Sequence, residues 1–242
     1  MWTDRTKILL GEDGLNRLAA SHVMVVGLGG VGAVAAEMVA RAGVGRMMIL
    51  DSDTVSDTNR NRQLIASCST LGKRKTEVVA SRLLDINPQL ELDIRDVYLT
   101  EENVQEVVGS ASPDYVIDAI DTLAPKLALI KHCVDNHIPL VSSMGSGAKY
   151  DVTKIRITDI SKSFNCPLAY IVRKKLRHMG ISKGFNVVFS EELPDENAIV
   201  ELSEEEMAVT SNKKSQVGTI SYLPAAFGCA CAQAALGFLL KA

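Results

Sequence analysis

Glycines and one acid in the first quarter of this chain have the spacing of a nucleotide site. Gly27, Gly29, Gly30 and Gly32 lie within one short loop, and Asp51 follows 24 positions after the first of them. Such glycines let backbone N–H groups approach a phosphate, and an acid near this distance binds a ribose hydroxyl. The pattern fits NAD, FAD or ATP. The structural alternatives are a close-packed turn without ligand and a plain strand-end acid.

Cationic and amide side chains beyond the acid favour ATP among these cofactors. They are Asn59, Arg62, Gln63 and Lys75. A nicotinamide cofactor does not require them, whereas charge-assisted donors suit a triphosphate and the charge on departing pyrophosphate. We expect Lys75 in the first turn of a helix, exposed rather than buried with the apolar side. A solvated lysine with no role in binding is the alternative.

Carboxylates also follow a predicted strand further along the chain, at Asp118 and Asp121. Magnesium is often held by one or two carboxylates together with substrate phosphates, and a strand-end aspartate is well placed to supply one. Asp121 comes later and is expected to reach further into the crevice. Its structural alternative is to cap the helix that begins near Thr122.

Short apolar runs alternate with helical patterns through the first half of the chain. The predicted strands are His22–Val26, Met47–Leu50, Leu90–Tyr98, Tyr115–Asp118 and Leu140–Ser142. The predicted helices are Val31–Ala42, Lys73–Ile86, Glu101–Val108 and Leu123–Asn136. This order predicts an α/β fold with a Rossmann-like, doubly wound, mainly parallel sheet and an elaborated C-terminal half. With no repeat or linker evident, residues 1–242 are expected to form one domain.

Composition places few limits on function. The chain has 242 residues, 47% of them hydrophobic, and a net charge of −3. Its five cysteines form no C-x-x-C pair, which argues against a disulfide scaffold or zinc knuckle, and the N-terminus opens no apolar stretch. We therefore expect a cytoplasmic protein. Cys166 is interpreted as an incidental thiol, and Cys229 and Cys231 as core residues.

A basic segment lies in the second half. Residues 154–184 contain eight Lys or Arg and one acid. A helix is predicted over Pro167–Met179, with Arg173, Lys174, Lys175 and Arg177 in its second half, and these cations are expected to contact RNA phosphates. A solvated helix face is the alternative, since cations also complement a helix C-terminus.

The uncharged stretch Ile220–Leu240 is long enough to cross a bilayer. Its small residues, together with Pro224 and Gln233, favour a buried or dimer-packed helix over peripheral membrane association.

Linked motifs give the chain a resemblance to the adenylating superfamily of ThiF, MoeB and the ubiquitin-activating enzymes. The motifs are Gly27–Gly32, Asp51–Val55, Asn59–Gln63, Gly72–Lys75, Ile86–Pro88 and Asp118–Asp121. The resemblance runs over essentially the whole chain. It implies that ATP is bound by Gly27, Gly29, Gly30, Gly32, Asp51, Asp53, Asn59, Arg62, Gln63 and Lys75. It further implies that Asp121 holds Mg²⁺ and that Arg5 reaches the partner's ATP site within a homodimer, so that Arg5, Arg62, Lys75 and Asp121 form the catalytic set.

Further segments resemble the tRNA threonylcarbamoyladenosine dehydratase branch of that superfamily. They are Ser142–Ala148, Asp151–Ile155, Thr158–Lys162 and Pro167–Ala169. This branch implies ATP-dependent cyclisation of the threonylcarbamoyl group on a tRNA adenosine beside the anticodon, through an acyl-adenylate. It also implies a Na⁺ or K⁺ site near Gly145 and Gly147, and sulfur-transfer proteins are counted among the partners. The alternatives are adenylation of a ubiquitin-like sulfur carrier, an NAD-dependent dehydrogenase and a nucleotide-binding scaffold.

Overall fold

The computed structural model of the chain describes residues 1–201 and 215–241. Within these residues the helices are α1 (Asp4–Ala20), α2 (Gly32–Arg41), α3 (Lys75–Ile86), α4 (Val104–Ala111), α5 (Leu123–Asp135), α6 (Pro167–His178) and α7 (Tyr222–Leu239). The strands are β1 (His22–Val26), β2 (Arg46–Leu50), β3 (Glu91–Arg95), β4 (Tyr115–Asp118), β5 (Leu140–Ser143), β6 (Ile155–Asp159), β7 (Asn186–Ser190), β8 (Ile199–Glu201) and β9 (Ser215–Val217).

The main sheet has seven strands in the order β3-β2-β1-β4-β5-β7-β6. Its strands are parallel except β6, which pairs antiparallel with β7; Val25 of β1 aligns with Ile49 on one side and Ile117 on the other. Because the chain moves outward from β1 and then returns to β4 on the other side of β1, the strand order reverses between these two strands. Ligands of doubly wound sheets bind at this switch point.

Hydrophobic cores cover both faces of the sheet. Val23 and Val25 of β1 pack with α2, α3 and α7, whereas Met24 and Val26 pack with α4, α5 and α6. Successive residues of a strand point to opposite faces, so a strand covered on both sides is apolar throughout. The predicted α/β fold with a mainly parallel sheet is confirmed.

The uncharged segment near the C-terminus forms α7, and it is the one helix of the described residues that is long and apolar enough to cross a membrane. It packs instead on α2: a Cβ added at Gly228 would lie 2.5 Å from the carbonyl oxygen of Val31 and 2.8 Å from Val34 Cβ. Leu223, Phe227 and Cys231 are fully buried in the core. The prediction that this uncharged segment forms a packed helix is confirmed for Tyr222–Leu239.

Several predicted boundaries were wrong. β3 ends at Arg95 rather than Tyr98, because the chain turns there: Asn103 Oδ1 accepts from the backbone N–H of Thr100 (2.7 Å) and its Nδ2 donates to the carbonyl of Tyr98 (2.9 Å). The same turn delays the start of α4 from residue 101 to Val104. The end of α4 also falls three residues later than predicted, at Ala111 rather than Val108, and the other boundaries predicted in the first half differ by no more than two residues. Neither α1 nor the β6–β7 pair was predicted.

Candidate active site

The glycine loop joins β1 to α2 at the switch point. Gly27 has a φ of 88°, and a Cβ there would lie 2.8 Å from the carbonyl oxygen of Ala119 after β4. A Cβ on Gly32 would lie 1.7 Å from the carbonyl oxygen of Gly27. Only glycine permits this approach, which sets the N-terminus of α2 directly against the end of β1. Such a helix N-terminus favours an anion.

Asp51 ties this loop to the end of β2. Its Oδ2 accepts from the backbone N–H of Leu28 (2.6 Å) and its Oδ1 accepts from the N–H of Asp53 (2.8 Å). Burial raises the pKa of Asp51, while the charge of Lys75 and these two hydrogen bonds act in the opposite direction. Each carboxylate oxygen keeps a further lone pair for a ribose hydroxyl.

Lys75 lies in the first turn of its helix, as predicted, and is the first residue of α3, but it is 5% exposed, so the predicted exposure was wrong. Its Nζ lies 2.7 Å from Asp53 Oδ2, and its backbone N–H donates to the carbonyl of Asp53 (3.0 Å). The segment after β2 covers the start of α3: the N–H of Val55 donates to the carbonyl of Lys73 (2.9 Å). The lysine charge is therefore held beside Asp51 with little water around it.

The polar cluster of residues 59–63 packs against the glycine loop. A Cβ added at Gly30 would lie 3.2 Å from the carbonyl oxygen of Arg62, and one at Gly29 would lie 3.7 Å from Gln63 Nε2. Arg62 Nη1 donates to the carbonyl of Thr58 (3.0 Å), and Asn59 Oδ1 caps the local turn by accepting from the N–H of Ser56. These contacts bring the cluster to the loop.

Gln63 carries an unsatisfied buried acceptor. The residue is 8% exposed, and within the described residues its Oε1 has no hydrogen-bond partner. A buried oxygen without a donor costs roughly 1–3 kcal/mol unless a ligand or water supplies one. Its position beside the loop fits a contact with a bound nucleotide.

Asp118 is structural rather than a metal ligand. Its Oδ2 lies 2.7 Å from Lys126 Nζ and accepts from Ser142 Oγ (2.6 Å), and its Oδ1 accepts from the N–H of Ile120 (3.0 Å). Asp118 and Lys126 are fully buried. The suggestion that the first strand-end carboxylate could bind Mg²⁺ fails, because both of its oxygens are engaged inside the protein. Lys126 itself was missed by the sequence reading.

Asp121 lies in the exposed turn that follows β4. The N-cap position of α5 falls on Thr122, one residue after Asp121, and the Thr122 side chain makes no cap hydrogen bond. Among the described residues no group of three or more His, Cys, Asp or Glu could hold a metal ion. A magnesium ion here would therefore depend on Asp121 together with phosphate oxygens, a donor set that Mg²⁺ commonly uses.

Gly145 and Gly147 follow β5 at the same edge of the sheet. A Cβ on Gly147 would lie 2.6 Å from Val217 Cγ1, so this turn passes close to β9. The Na⁺ or K⁺ site near Gly145 and Gly147 stays a prediction.

Arg5 lies far from the glycine loop of its own chain. It is exposed on α1, near Thr3, whose Cγ2 lies 3.7 Å from a Cβ placed on Gly43. Gly43 follows the C-terminus of α2, whereas the glycine loop precedes its N-terminus. The ten residues of α2 separate the two points by about 15 Å. The same helix exposes Ile8 (85%) and Leu9 (82%).

The cationic side chains of the basic helix α6 differ in their contacts. Arg173 Nη1 donates to the carbonyl of Ser163 (2.6 Å) and is thus partly engaged within the chain. Lys174, Lys175 and Arg177 are exposed. They remain available to solvent or to a polyanion.

The cysteine thiols differ in exposure. Burial raises the pKa of Cys133 and Cys231 to about 12, so both are protonated near neutral pH. Cys166 is buried at the N-cap of α6, whereas Cys229 is exposed, so its prediction as a core residue was wrong. No described cysteine joins a metal cluster.

The doubly wound sheet has three features at its switch point: a glycine loop, an aspartate placed to bind a ribose, and a buried lysine. Together they define a nucleotide-binding α/β protein. The chain belongs to the ThiF family, whose model matches residues 4–242. It is 42% identical over 190 residues to the tRNA threonylcarbamoyladenosine dehydratase of Bacillus subtilis, covering 78% of this chain and 74% of that protein. It is also 42% identical over 201 residues to the Escherichia coli enzyme of the same name, covering 79% and 75%.

Solved structures of tRNA threonylcarbamoyladenosine dehydratase are also similar to this chain. The E. coli tRNA N6-threonylcarbamoyladenosine dehydratase TcdA in complex with ATP superposes with a TM-score of 0.88 and 36% identity, covering 98% of this chain and 93% of that one. Its AMP complex has a TM-score of 0.87 over the same shares. E. coli MccB, at 17% identity and a TM-score of 0.65, shares the fold.

Proposed function

We propose that this protein is an ATP-dependent tRNA threonylcarbamoyladenosine dehydratase, an enzyme of the ThiF family that closes the threonylcarbamoyl group into a ring through an acyl-adenylate. One observation carries the proposal. The buried Lys75, Asp51 and the glycine loop lie together in a chain of which 98% superposes on the ATP complex of TcdA. The predicted function is thereby supported from both sequence and structure.

In the first step a carboxylate oxygen of the substrate attacks the α-phosphorus of ATP. A new P–O bond forms, the bond to the bridging oxygen breaks, and pyrophosphate leaves with that electron pair. Lys75 and Arg62 offer positive charge to the phosphates, and the N-terminus of α2 adds backbone donors. Because four of the six loop residues are glycines, phosphate oxygens can approach its backbone.

The other residues assigned to the nucleotide site orient the bound ATP. Asp51 binds the ribose through its remaining lone pairs, and Asn59 and Gln63 orient the phosphates or base. Asp53 holds Lys75 through their ion pair and also contributes to binding the nucleotide. Asp121 would hold Mg²⁺, which supplies charge neutralisation to the phosphates.

In the second step a carbamoyl nitrogen of the same substrate attacks the activated carbonyl. The C–N bond forms, the C–O bond to AMP breaks, and the nitrogen loses its proton to solvent. The carboxylate oxygen leaves on AMP, so the nucleoside loses one water overall. Because both groups belong to one molecule, ring closure has the advantage of an intramolecular reaction. This chemistry requires no enzyme nucleophile, which agrees with the protonated state of the buried thiols.

A homodimer completes the site in this proposal. Arg5 lies at the opposite end of α2 from its own glycine loop, and the exposed Ile8 and Leu9 give α1 an apolar surface of the kind that subunit interfaces cover. Arg5 would reach the partner's ATP site and add charge there.

The remaining assignments follow the family resemblance. Residues 1–242 act as one adenylating domain in the cytoplasm, and carbonyls of Gly145–Gly147 hold Na⁺ or K⁺. The exposed cations of α6 contact tRNA phosphates. Sulfur-transfer proteins are further partners, and α7 stays in the core rather than on a membrane.

The function is tested by incubating the purified protein with MgATP and tRNA that carries threonylcarbamoyladenosine, then analysing nucleosides by mass spectrometry. We expect a product lighter by one water, together with AMP and pyrophosphate in equal amounts. A reaction without ATP is the control. Pyrophosphate exchange that responds only to a carrier ending in Gly-Gly would overturn the proposal in favour of sulfur-carrier adenylation.

A further inference from the structure

A pocket of about 300 Å³ opens beside the nucleotide site. Its lining includes Lys149, Tyr150, Thr219 and Tyr222. This volume is at the lower end of the range for small-molecule sites and is adequate for a planar base. None of these residues belongs to the motifs assigned to ATP.

Direct contacts join this pocket to the ATP site. Asn61, within the polar cluster beside the glycine loop, donates from Nδ2 to the carbonyl of Thr219 (3.1 Å). A Cβ placed on Gly30 would lie 2.9 Å from Pro224 Cβ, two residues after Tyr222. A substrate seated in the pocket is therefore next to the loop at which the phosphates bind.

Two tyrosines give the pocket an aromatic character. Tyr150 is 64% exposed and Tyr222 is 48% exposed. Tyr222 Oη donates to the carbonyl of Tyr150 (2.9 Å), which holds the Tyr222 ring, and Glu192 accepts from the backbone N–H of Tyr150 (3.1 Å), which holds the backbone that carries the Tyr150 ring. Exposed but positioned aromatic rings are the platforms on which proteins stack unpaired bases.

Lys149 connects the pocket to the basic helix. It is 3% exposed, and its Nζ donates to the carbonyls of Asn165 (3.1 Å) and Ser190 (3.0 Å). Asn165 lies two residues before α6, which carries the exposed Lys174 and Lys175. The start of α6 is therefore tied to the pocket, and Lys174 and Lys175 lie about two turns further along that helix.

We propose that this pocket receives the modified adenine of the RNA, stacked against Tyr150 and Tyr222, so that its threonylcarbamoyl chain extends toward the ATP phosphates. The proposal rests on the proposed function. An anticodon-loop base is single-stranded, and an enzyme that acts on such a base must take it out of its stack and bind its faces. The pocket combines aromatic surface with direct contact to the catalytic loop.

The experiment compares Tyr150→Ala, Tyr222→Ala and Tyr150→Phe with the unaltered full-length protein. The substrate is an anticodon-arm RNA hairpin carrying threonylcarbamoyladenosine, and the KM for this RNA and the Kd for ATP are measured. We expect each alanine variant to raise the KM for RNA about 5- to 100-fold, the range for losing one stacked base, with an unchanged Kd for ATP. Tyr150→Phe keeps the ring and should retain the original KM.

A second hairpin carries 2-aminopurine in place of the modified adenine. Stacking quenches its fluorescence, so we expect quenching with the original protein and with Tyr150→Phe, and its loss with Tyr150→Ala. If the original protein dehydrates the RNA while both alanine variants keep its KM and the quenching, the base site is wrong and the proposed function stands. A change in oligomeric mass with unchanged RNA binding would show instead that a second copy of the chain covers the tyrosines. Failure of the original protein to dehydrate any modified RNA would contradict the proposed function itself.

Discussion

Lys75 Nζ lies 2.7 Å from Asp53 Oδ2, yet the two partners differ in environment: the lysine side chain is 6% exposed and the aspartate side chain 66%. The cation is fixed by its surroundings, whereas the carboxylate faces water. An incoming phosphate can therefore replace the carboxylate beside Lys75 without moving the lysine. Preorganised charge of this kind stabilises a developing anion without a reorganisation cost during the reaction.

Lys75→Ala should lower the rate of AMP and pyrophosphate formation by about 10²- to 10³-fold, because the departing pyrophosphate loses a preorganised donor. Single-turnover kinetics with saturating modified tRNA measure the effect. Lys73→Ala is the matched control, since it removes an exposed lysine two residues earlier to which no phosphate contact is assigned. Equal losses in both variants would contradict the phosphate role of Lys75.

The buried pair between Lys126 and Asp118 predicts a large stability effect. Lys126→Met should cost about 3–5 kcal/mol of unfolding free energy, because it leaves the Asp118 carboxylate buried without its cation. Urea unfolding measures the change. Adding Asp118→Asn should recover part of the loss, since the amide oxygen can still accept from Ile120.

Lys131→Met provides the comparison for that pair. Lys131 is on the same helix and pairs with Asp135, but both side chains are nearly half exposed. We expect a change below about 1 kcal/mol. A comparable loss at both lysines would contradict the importance of burial.

Glu37 of α2 predicts a pH-dependent contribution to stability. Burial alone would raise the pKa of Glu37, but hydrogen bonds from Arg82 and Arg41 outweigh it and lower the pKa below the ordinary 4.5. A lowered carboxylate pKa stabilises the folded state above the unfolded pKa, and the gain is lost as pH falls through the lower folded value.

Glu37→Gln should therefore reduce stability at pH 7 by on the order of 1 kcal/mol, since both arginines are about half exposed. The difference from the original protein should shrink as pH falls below 4.5. Thermal unfolding between pH 3 and pH 7 measures it. A difference that grows toward low pH would contradict the assigned sign.

The exposed cations of α6 predict salt-dependent RNA binding. Lys174→Glu with Lys175→Glu should weaken tRNA binding at least about 10-fold and reduce the slope of log affinity against log salt by about 2, one unit per lost phosphate contact. Fluorescence anisotropy across a salt series tests this. Lys241→Glu, just beyond the far end of α7, should change neither quantity.

The proposed action of Arg5 across the dimer predicts complementation. Arg5→Ala and Lys75→Ala should each retain at most about a hundredth of the activity when alone. Mixed dimers then contain one site with the intact Lys75 of one protomer and the Arg5 of the other, so random mixing should restore about a quarter of full activity. Activity assays before and after subunit exchange measure it. No recovery, with exchange verified, would place Arg5 outside the partner's site.

The strands of the first half could be predicted because their signal is local. Glycine spacing, strand-end acids and apolar runs near β1, β2 and β4 carry the architecture, and family membership follows from the same residues. The phosphate-binding roles of Arg62 and Lys75 and the magnesium-binding role of Asp121 remain predictions.

The burial of Lys75 and the pairing of Asp118 could not be predicted, because both depend on contacts between distant segments. Residues 53–55 cover the start of α3, and Lys126 reaches Asp118 from a helix on the next layer. The tyrosine pocket was missed for the same reason: Tyr150 and Tyr222 are 72 positions apart in sequence, and a hydrogen bond joins them in the folded chain. Charge counting treats Lys126 and Lys149 as surface residues, since only the folded chain supplies their buried partners.

The packing of α7 against α2 has a consequence for synthesis on the ribosome. Gly228 contacts the backbone after the glycine loop, and Pro224 lies against Gly30, so the loop is completed by a helix that is synthesised long after it. During translation the nascent loop has one side uncovered until α7 has emerged from the ribosome. ATP should therefore bind poorly to chains stalled before α7, and competence to use the nucleotide should appear only once this helix has packed on α2.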